Sequence, residues 1–278
     1  LAAEGVPGAD PATWQAAPTP TGGGLLVAGE KLQLSPSKLE VAVQCPLRYV
    51  LTAAGGEGET TGAQNLGSII HEIAERHPTG GLKAMLAALD GMWDRLELGE
   101  GWAARYERSE AGQMVNKLAN SFQKRPAPLA TEYGFRVELP DVVLTGKIDR
   151  IERVPGRPKA VKLVDLKTGK TIATKAEAQQ HPQLGAYQVA VDSGAVDDIM
   201  PGAVSAGAEL LYVRTDSVSA ATRDQAELAD GTWATEMIAQ VVADLSGSEV
   251  AARPGKYCDN CPVRSACPAL VDVMRVRS

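Results

Sequence analysis

The sequence predicts an α/β fold in which a mixed central sheet is flanked by helices. Two observations lead there. Between Thr131 and Lys167 three β patterns follow in succession (Tyr133–Leu139, Val142–Ile151 and Ala160–Lys167), while the segments before and after them carry apolar residues at helical spacing. A fourth β pattern, Ala208–Arg214, returns after a further helical stretch, so strands form a core and helices cover it. With 278 residues, 44% of them hydrophobic, the chain can bury one core of generous size. No segment approaches a membrane span. The net charge of −6 argues against nonspecific wrapping of nucleic acid but leaves room for a local basic groove.

Residues 1–33 are expected to be a linker or flexible arm, punctuated by Pro7, Pro11, Pro18, Pro20 and the run Gly22-Gly23-Gly24. Together with Leu1 in place of an initiator Met, this start suggests a chain excised from a longer polypeptide. Order is expected to begin at Leu34-Ser35-Pro36-Ser37, with Ser35 as N-cap and Pro36 at the first helical position. Leu39, Val43, Leu47 and Val50 then recur at helical spacing and carry Cys45, Arg48 and Tyr49 with them, up to a Gly-rich break from Gly55 to Gly62.

A helix from about Gln64 to His77 aligns Gly67, His71 and Glu75 along one face. His71-Glu72 is not a zinc-protease signature, because Glu75 stands where HExxH needs its second His. From about Gly81 to Lys124 the chain reads as a helical insertion whose stripe of Leu82, Met85, Leu86, Leu89 and Trp93 packs on the core.

The chemistry concentrates in the strands. A hairpin folded about Pro155-Gly156-Arg157-Pro158 places Asp149 opposite Asp165, with Cβ atoms roughly 5 Å apart, and Lys167 on the same face. Carboxylates that close repel unless one is protonated or a cation lies between them, and Mg²⁺ or Mn²⁺ suits oxygen donors joined by an imidazole. Such an ion activates water and neutralises phosphate charge, while Lys167 can orient that water or stabilise the pentacoordinate transition state. A helix from about Lys175 to Val191 starts near these carboxylates and bears Gln183 and Tyr187 four residues apart, Gln183 a candidate to bond a phosphate or a metal-bound water and Tyr187 to contact DNA sugar or base. A last helix is expected from about Arg223 to Leu245.

Cys45 lies far upstream of Cys258, Cys261 and Cys267, a spacing open to a disulfide pair, a zinc site or an iron-sulfur cluster. The disulfide is the weakest reading, since nothing resembles a secretory signal. Spacing leaves zinc and cluster open, although zinc sites usually show two paired CxxC knuckles.

These motifs together resemble the RecB-like branch of the PD-(D/E)XK nucleases, and specifically its iron-sulfur members. The resemblance covers residues 34–268 and rests on Leu34-Ser-Pro-Ser-Lys-Leu-Glu, Cys45-Pro-Leu-Arg-Tyr, Gly67-Ser-Ile-Ile-His71, Gly146-Lys-Ile-Asp149-Arg, Val164-Asp165-Leu-Lys167-Thr-Gly, Gln183-Leu-Gly-Ala-Tyr187 and the cysteine trio, in the family's order. It implies a restriction-endonuclease-like fold for residues 34–278, with His71, Asp149, Asp165 and the Leu166 carbonyl as metal ligands and Lys167 as the catalytic lysine. Cys45, Cys258, Cys261 and Cys267 would bind a 4Fe-4S cluster that joins the chain ends through a loop at 256–268. The implied activity is Mg²⁺- or Mn²⁺-dependent DNA hydrolysis, mainly of single strands, within a bacterial cytoplasmic helicase-nuclease of the AddB, AdnA or AdnB kind, with a helicase subunit or domain as partner. Gln183, Tyr187, Arg48 and Lys170, with Lys147 and Arg150, would contact the DNA. A stand-alone RecB-like exonuclease, the CRISPR-associated type included, and an inactive iron-sulfur DNA-binding scaffold are the alternatives.

Overall fold

The computed structural model describes residues 31–56, 62–229, 232–247 and 249–269. Residues 1–30 of the expected arm, and residues 57–61 of the expected Gly-rich break, lie outside the described residues. Order begins slightly earlier than Leu34, because Leu32–Leu34 (β1) pairs in parallel with the start of β3 (Val142–Val154), Leu32 opposite Val142.

The first expected helix is two. Ser35 caps α1 (Pro36–Gln44), its Oγ accepting from the Lys38 amide at 3.2 Å. Pro46 cannot donate to the preceding turn, so the chain restarts there as α2 (Pro46–Leu51), capped by the Cys45 sulfur, which accepts from the Arg48 amide at 3.4 Å. The helix bearing His71 is α3 (Gly62–Arg76). The insertion splits into α4 (Leu82–Met92) and α5 (Trp102–Phe122) across a break in which Gly99 and Gly101 take φ 65° and 148°.

β2 (Pro128–Glu138), β3 and β4 (Arg157–Lys167) form the expected antiparallel meander. Pro155-Gly156 alone makes the second turn, and a bulge at Arg153/Val154 restores the register, so Arg150 pairs with Val164. The expected helix 175–191 is also two, α6 (Lys175–Gln179) and α7 (Pro182–Asp192), because Pro182 starts a new helix and cannot continue the old one. β5 (Val204–Tyr212) lies parallel to β4 and antiparallel to β6 (Ala221–Gln225). The helix expected from Arg223 begins only at Thr232 (α8, Thr232–Ser246), since Ala221–Gln225 extends the sheet.

The six-stranded mixed sheet runs β1-β3-β4-β5-β6, with β2 on β3. Residues alternate between its faces. Val161 and Leu163 of β4 and Ala208 and Leu210 of β5 join the core under α1, α7 and α8, whereas Val164, Leu166 and Leu211 join the core under α3, α4 and α5. Each fully buried aliphatic side chain in these layers contributes about 1.5–3 kcal/mol. Among the described residues no helix is long and apolar enough to cross a membrane.

Arg150 overturns one expectation. It does not line a DNA path: only 2% exposed, it donates through Nε to Glu152 Oε1 at 2.5 Å, through Nη1 to the Pro78 carbonyl at 2.5 Å and through Nη2 to the Pro126 carbonyl at 2.7 Å, and it lies over the Phe122 ring. Arg125 joins the same network through Glu152 and Glu209. A guanidinium sequestered like this is paired because an unpaired buried charge is prohibitive.

Candidate active site

Three carboxylates lie side by side where β2, β3 and β4 meet. Asp149 follows Arg150 in the register, which sets it opposite Asp165; on its other side Glu132 stands between the pairs Thr131–Arg150 and Tyr133–Ile148. The β3–β4 ladder ends at this point, and the Asp149 carboxylate takes over: its Oδ2 accepts the Leu166 amide at 2.6 Å. Glu132 holds φ 45°, a left-handed conformation that costs a non-glycine residue on the order of 1–3 kcal/mol and tends to persist at functional sites.

His71 enters from α3 on the helical side. Its Nδ1 lies 3.4 Å from Glu132 Oε1 and 3.4 Å from Asp149 Oδ1, and the ligand atoms of these three residues lie within 4.8 Å of one another. Gly67, one turn earlier, permits the approach, because a Cβ there would lie 2.8 Å from Thr168 Oγ1.

Asp165 is 3% exposed and points to the other side. Its Oδ1 accepts from Gln183 Nε2 at 2.7 Å, and Oδ2 lies 2.8 Å from Lys167 Nζ, in an ion pair without hydrogen-bond geometry. Lys167 in turn donates to Gln183 Oε1 at 2.6 Å. Tyr187, one turn along α7, accepts from Gln183 Nε2 at 3.2 Å and donates to the Lys147 carbonyl at 2.8 Å. Gly185 between them lets α7 meet α8, since a Cβ would lie 2.6 Å from the Trp233 ring. Gln183 and Tyr187, expected as substrate contacts, are thus buried behind the carboxylates, at 5% and 4% exposure.

The electrostatics ask for a cation. Burial disfavours a charged His71 ring, but hydrogen bonds to Asp149 and Glu132 outweigh it and carry the pKa up to about 10. Burial pushes the Asp149 carboxyl up, and the Asp165 charge pushes it further, against the hydrogen bond from His71. Glu132, Asp149 and the His71 imidazole, with ligand atoms within 4.8 Å of one another, fit a hard divalent ion. Glu132 is the member the sequence reading missed. Its signal was present: a hairpin folded about Pro140-Asp141 puts Glu132 opposite Asp149, by the same symmetry that pairs Asp149 with Asp165.

Of the expected basic residues, Lys170 is exposed in a cleft beside His71, and Lys147 Nζ stands 3.8 Å from Glu132 Oε2. Arg48 borders both the cysteine cavity and a groove that runs to Lys167.

Cys45, Cys258, Cys261 and Cys267 are free thiols that line one apolar cavity of about 200 Å³, bordered by Arg48, Arg253 and Arg264. The Arg253 amide donates to Cys45 Sγ at 3.4 Å and the Gly255 amide to Cys258 Sγ at 3.3 Å. The two ends of the domain meet here, with the Leu47 amide on the Ala251 carbonyl at 3.2 Å and Arg253 Nη1 on the Val43 carbonyl at 3.2 Å. Four thiol donors, amides aimed at sulfur and surrounding guanidinium groups fit an anionic thiolate-ligated centre.

Residues 33–268 match the family model described as PD-(D/E)XK nuclease superfamily. The chain belongs to that superfamily. Among solved structures, this nuclease domain is similar to a "Putative exonuclease" from Eubacterium rectale, at 18% identity and TM-score 0.52, over 82% of this chain and 86% of that one. It is also similar to SSO0001, at 14% identity and TM-score 0.44, over 87% of this chain and 89% of that one. No curated protein matches the sequence.

Proposed function

We propose that the chain is a divalent-metal-dependent deoxyribonuclease that hydrolyses phosphodiesters, mainly in single-stranded DNA, with His71, Asp149, Asp165, the Leu166 carbonyl and Glu132 as its metal site and Lys167 as its catalytic lysine. The observation that carries this reading is the cross-strand row Glu132–Asp149–Asp165, closed by His71 at one end and Lys167 at the other. The E. rectale protein's description as an exonuclease agrees with it.

A divalent ion at this site supplies water activation and charge neutralisation on the scissile phosphate. The chain's own residues do the rest. Asp165 and Gln183 hold the Lys167 ammonium at the edge of the row, from which it stabilises charge developing on phosphate oxygens. Tyr187 fixes Gln183, and through the Lys147 carbonyl it ties α7 to the strand that carries Asp149. Gln183 and Tyr187 are therefore assigned to positioning.

The four cysteines are assigned to a 4Fe-4S cluster that staples the domain ends. All four cysteines line one shared cavity, which supports a single centre held by the four thiols. An unwinding partner would deliver single strands, which accords with the acidic net charge, because the motor then supplies affinity that this domain lacks. The nuclease is thus assigned to a helicase-nuclease acting in double-strand-break resection.

Anaerobically purified protein incubated with end-labelled single-stranded and duplex DNA and Mg²⁺ or Mn²⁺ tests the reading, with Asp165→Ala as control. Metal-dependent loss of single strands that vanishes in the variant is expected. An iron-loaded, folded sample that cuts neither substrate, alone or with its motor partner, would refute it.

A further inference from the structure

A cleft of about 780 Å³ opens on the His71 side of the site, bordered by Thr168, Gly169, Lys170, Glu107 and Arg214. Arg214 has no counterpart in the motifs that define the site, yet the fold ties it there. The preceding residue, Val213, donates its amide to the Lys167 carbonyl at 3.1 Å, so Arg214 leaves the sheet beside the catalytic lysine.

Its side chain is nine-tenths buried, and among the described residues only Nη2 donates hydrogen bonds, both to the Glu107 carboxylate, at 3.3 and 3.5 Å. Among the described residues Nε has no hydrogen-bond partner; the Glu110 carboxylate stands off at 3.8 Å. Tight charge-assisted bonds are about 2.7–2.9 Å. A guanidinium fork is thus held loosely by two carboxylates of α5 at the rim of a cleft that contains His71, with Nε unpaired. That geometry is poor for an internal ion pair and good for a fork awaiting an anion with two acceptor oxygens.

We infer that Arg214 is a substrate-binding residue, seating a backbone phosphate of the DNA strand together with Lys170 on the His71 side of the scissile bond. Glu107 acts as its stand-in counter-ion when DNA is absent. The inference rests on the nuclease reading and names a contact that reading does not supply.

Binding of fluorescein-labelled oligothymidylate is followed by anisotropy in Ca²⁺ buffer over a salt series, for the wild type, Arg214→Gln, Arg214→Lys and Glu107→Gln, with melting temperatures and Mg²⁺ cleavage kinetics in parallel. Arg214→Gln is expected to weaken binding about tenfold and to flatten the slope of log K against log salt by about 0.7, the value for one phosphate on a single strand. In cleavage, KM rises and kcat stays within a few-fold. Arg214→Lys recovers the slope but not the full affinity, having lost the fork. Glu107→Gln binds more tightly than the wild type. An unchanged salt slope in Arg214→Gln overturns the inference. So does an equal loss of affinity and melting temperature in Arg214→Gln and Glu107→Gln, the pattern of a purely structural clamp between α5 and the sheet. A wild type that binds DNA but cuts it neither alone nor with its motor partner refutes the nuclease reading and leaves the binding series to decide Arg214; a wild type that binds no DNA, alone or with that partner, overturns both.

Discussion

Asp149 accepts the Leu166 main-chain amide at 2.6 Å at the point where the β3–β4 ladder stops, so a side-chain carboxylate replaces a strand hydrogen bond. This one contact sets the spacing between Asp149 and the Asp165-x-Lys167 strand. Burial and the neighbouring Asp165 charge push the Asp149 carboxyl up, and His71 foremost, with the Leu166 amide adding to it, opposes them by stabilising the charged form.

Asp149→Asn retains the shape and an acceptor oxygen but removes a ligand charge. Cleavage is expected to fall on the order of 10³-fold, from several kcal/mol of lost metal-dependent stabilisation. The melting temperature should hold or rise, because the repulsion with Asp165 is relieved. A variant that cuts at the wild-type rate would exclude Asp149 from the site.

Gln183 reaches the chemistry only through Asp165 and Lys167. Gln183→Leu should therefore lower kcat by about 10–100-fold and leave KM for DNA nearly unchanged, whereas Gln183→Glu should recover part of the rate by keeping an acceptor for Lys167. Single-turnover kinetics separates this from a substrate contact, which would move KM.

Glu132→Gln tests the residue that completes the acidic row. The Mn²⁺ concentration for half-maximal activity is expected to rise by about 10–100-fold, with rate recovery at saturating metal. Metal titration with unchanged half-saturation would assign Glu132 to holding His71 alone.

Cys267→Ser should release iron and acid-labile sulfide and lower the melting temperature, since ligand binding is coupled to folding. Asp165→Ala, by contrast, should keep its iron. Retained iron and unchanged melting in Cys267→Ser would remove the staple.

Arg150→Ala should destabilise the fold by about 3–5 kcal/mol, because Glu152 is left buried without its closest cation. The salt dependence of DNA binding should not change, in contrast to Arg214→Gln. Urea denaturation and the anisotropy series measure the two effects separately.

The sequence by itself determined the meander, the helix bearing His71 and the alignment of Asp149 with Asp165 and Lys167, because these follow from short-range rules: period-two alternation, a tight turn and four-residue spacing on a helix. Glu132 lay within reach of the same turn symmetry. Helix breaks at Pro46 and Pro182 were equally local, though the periodicity ran on across them.

Only the tertiary structure decided which charges are buried and which face the substrate. Arg150 and Lys170 look alike in sequence, yet one is sealed among Pro78, Pro126 and Glu152 and the other borders the cleft. Gln183 moves from an expected substrate contact to a buried brace by a hydrogen bond across 18 positions, and Arg214 meets Glu107 across 107. Such partners are chosen by how α5 and α7 pack on opposite faces of the sheet, a long-range outcome that no local period encodes.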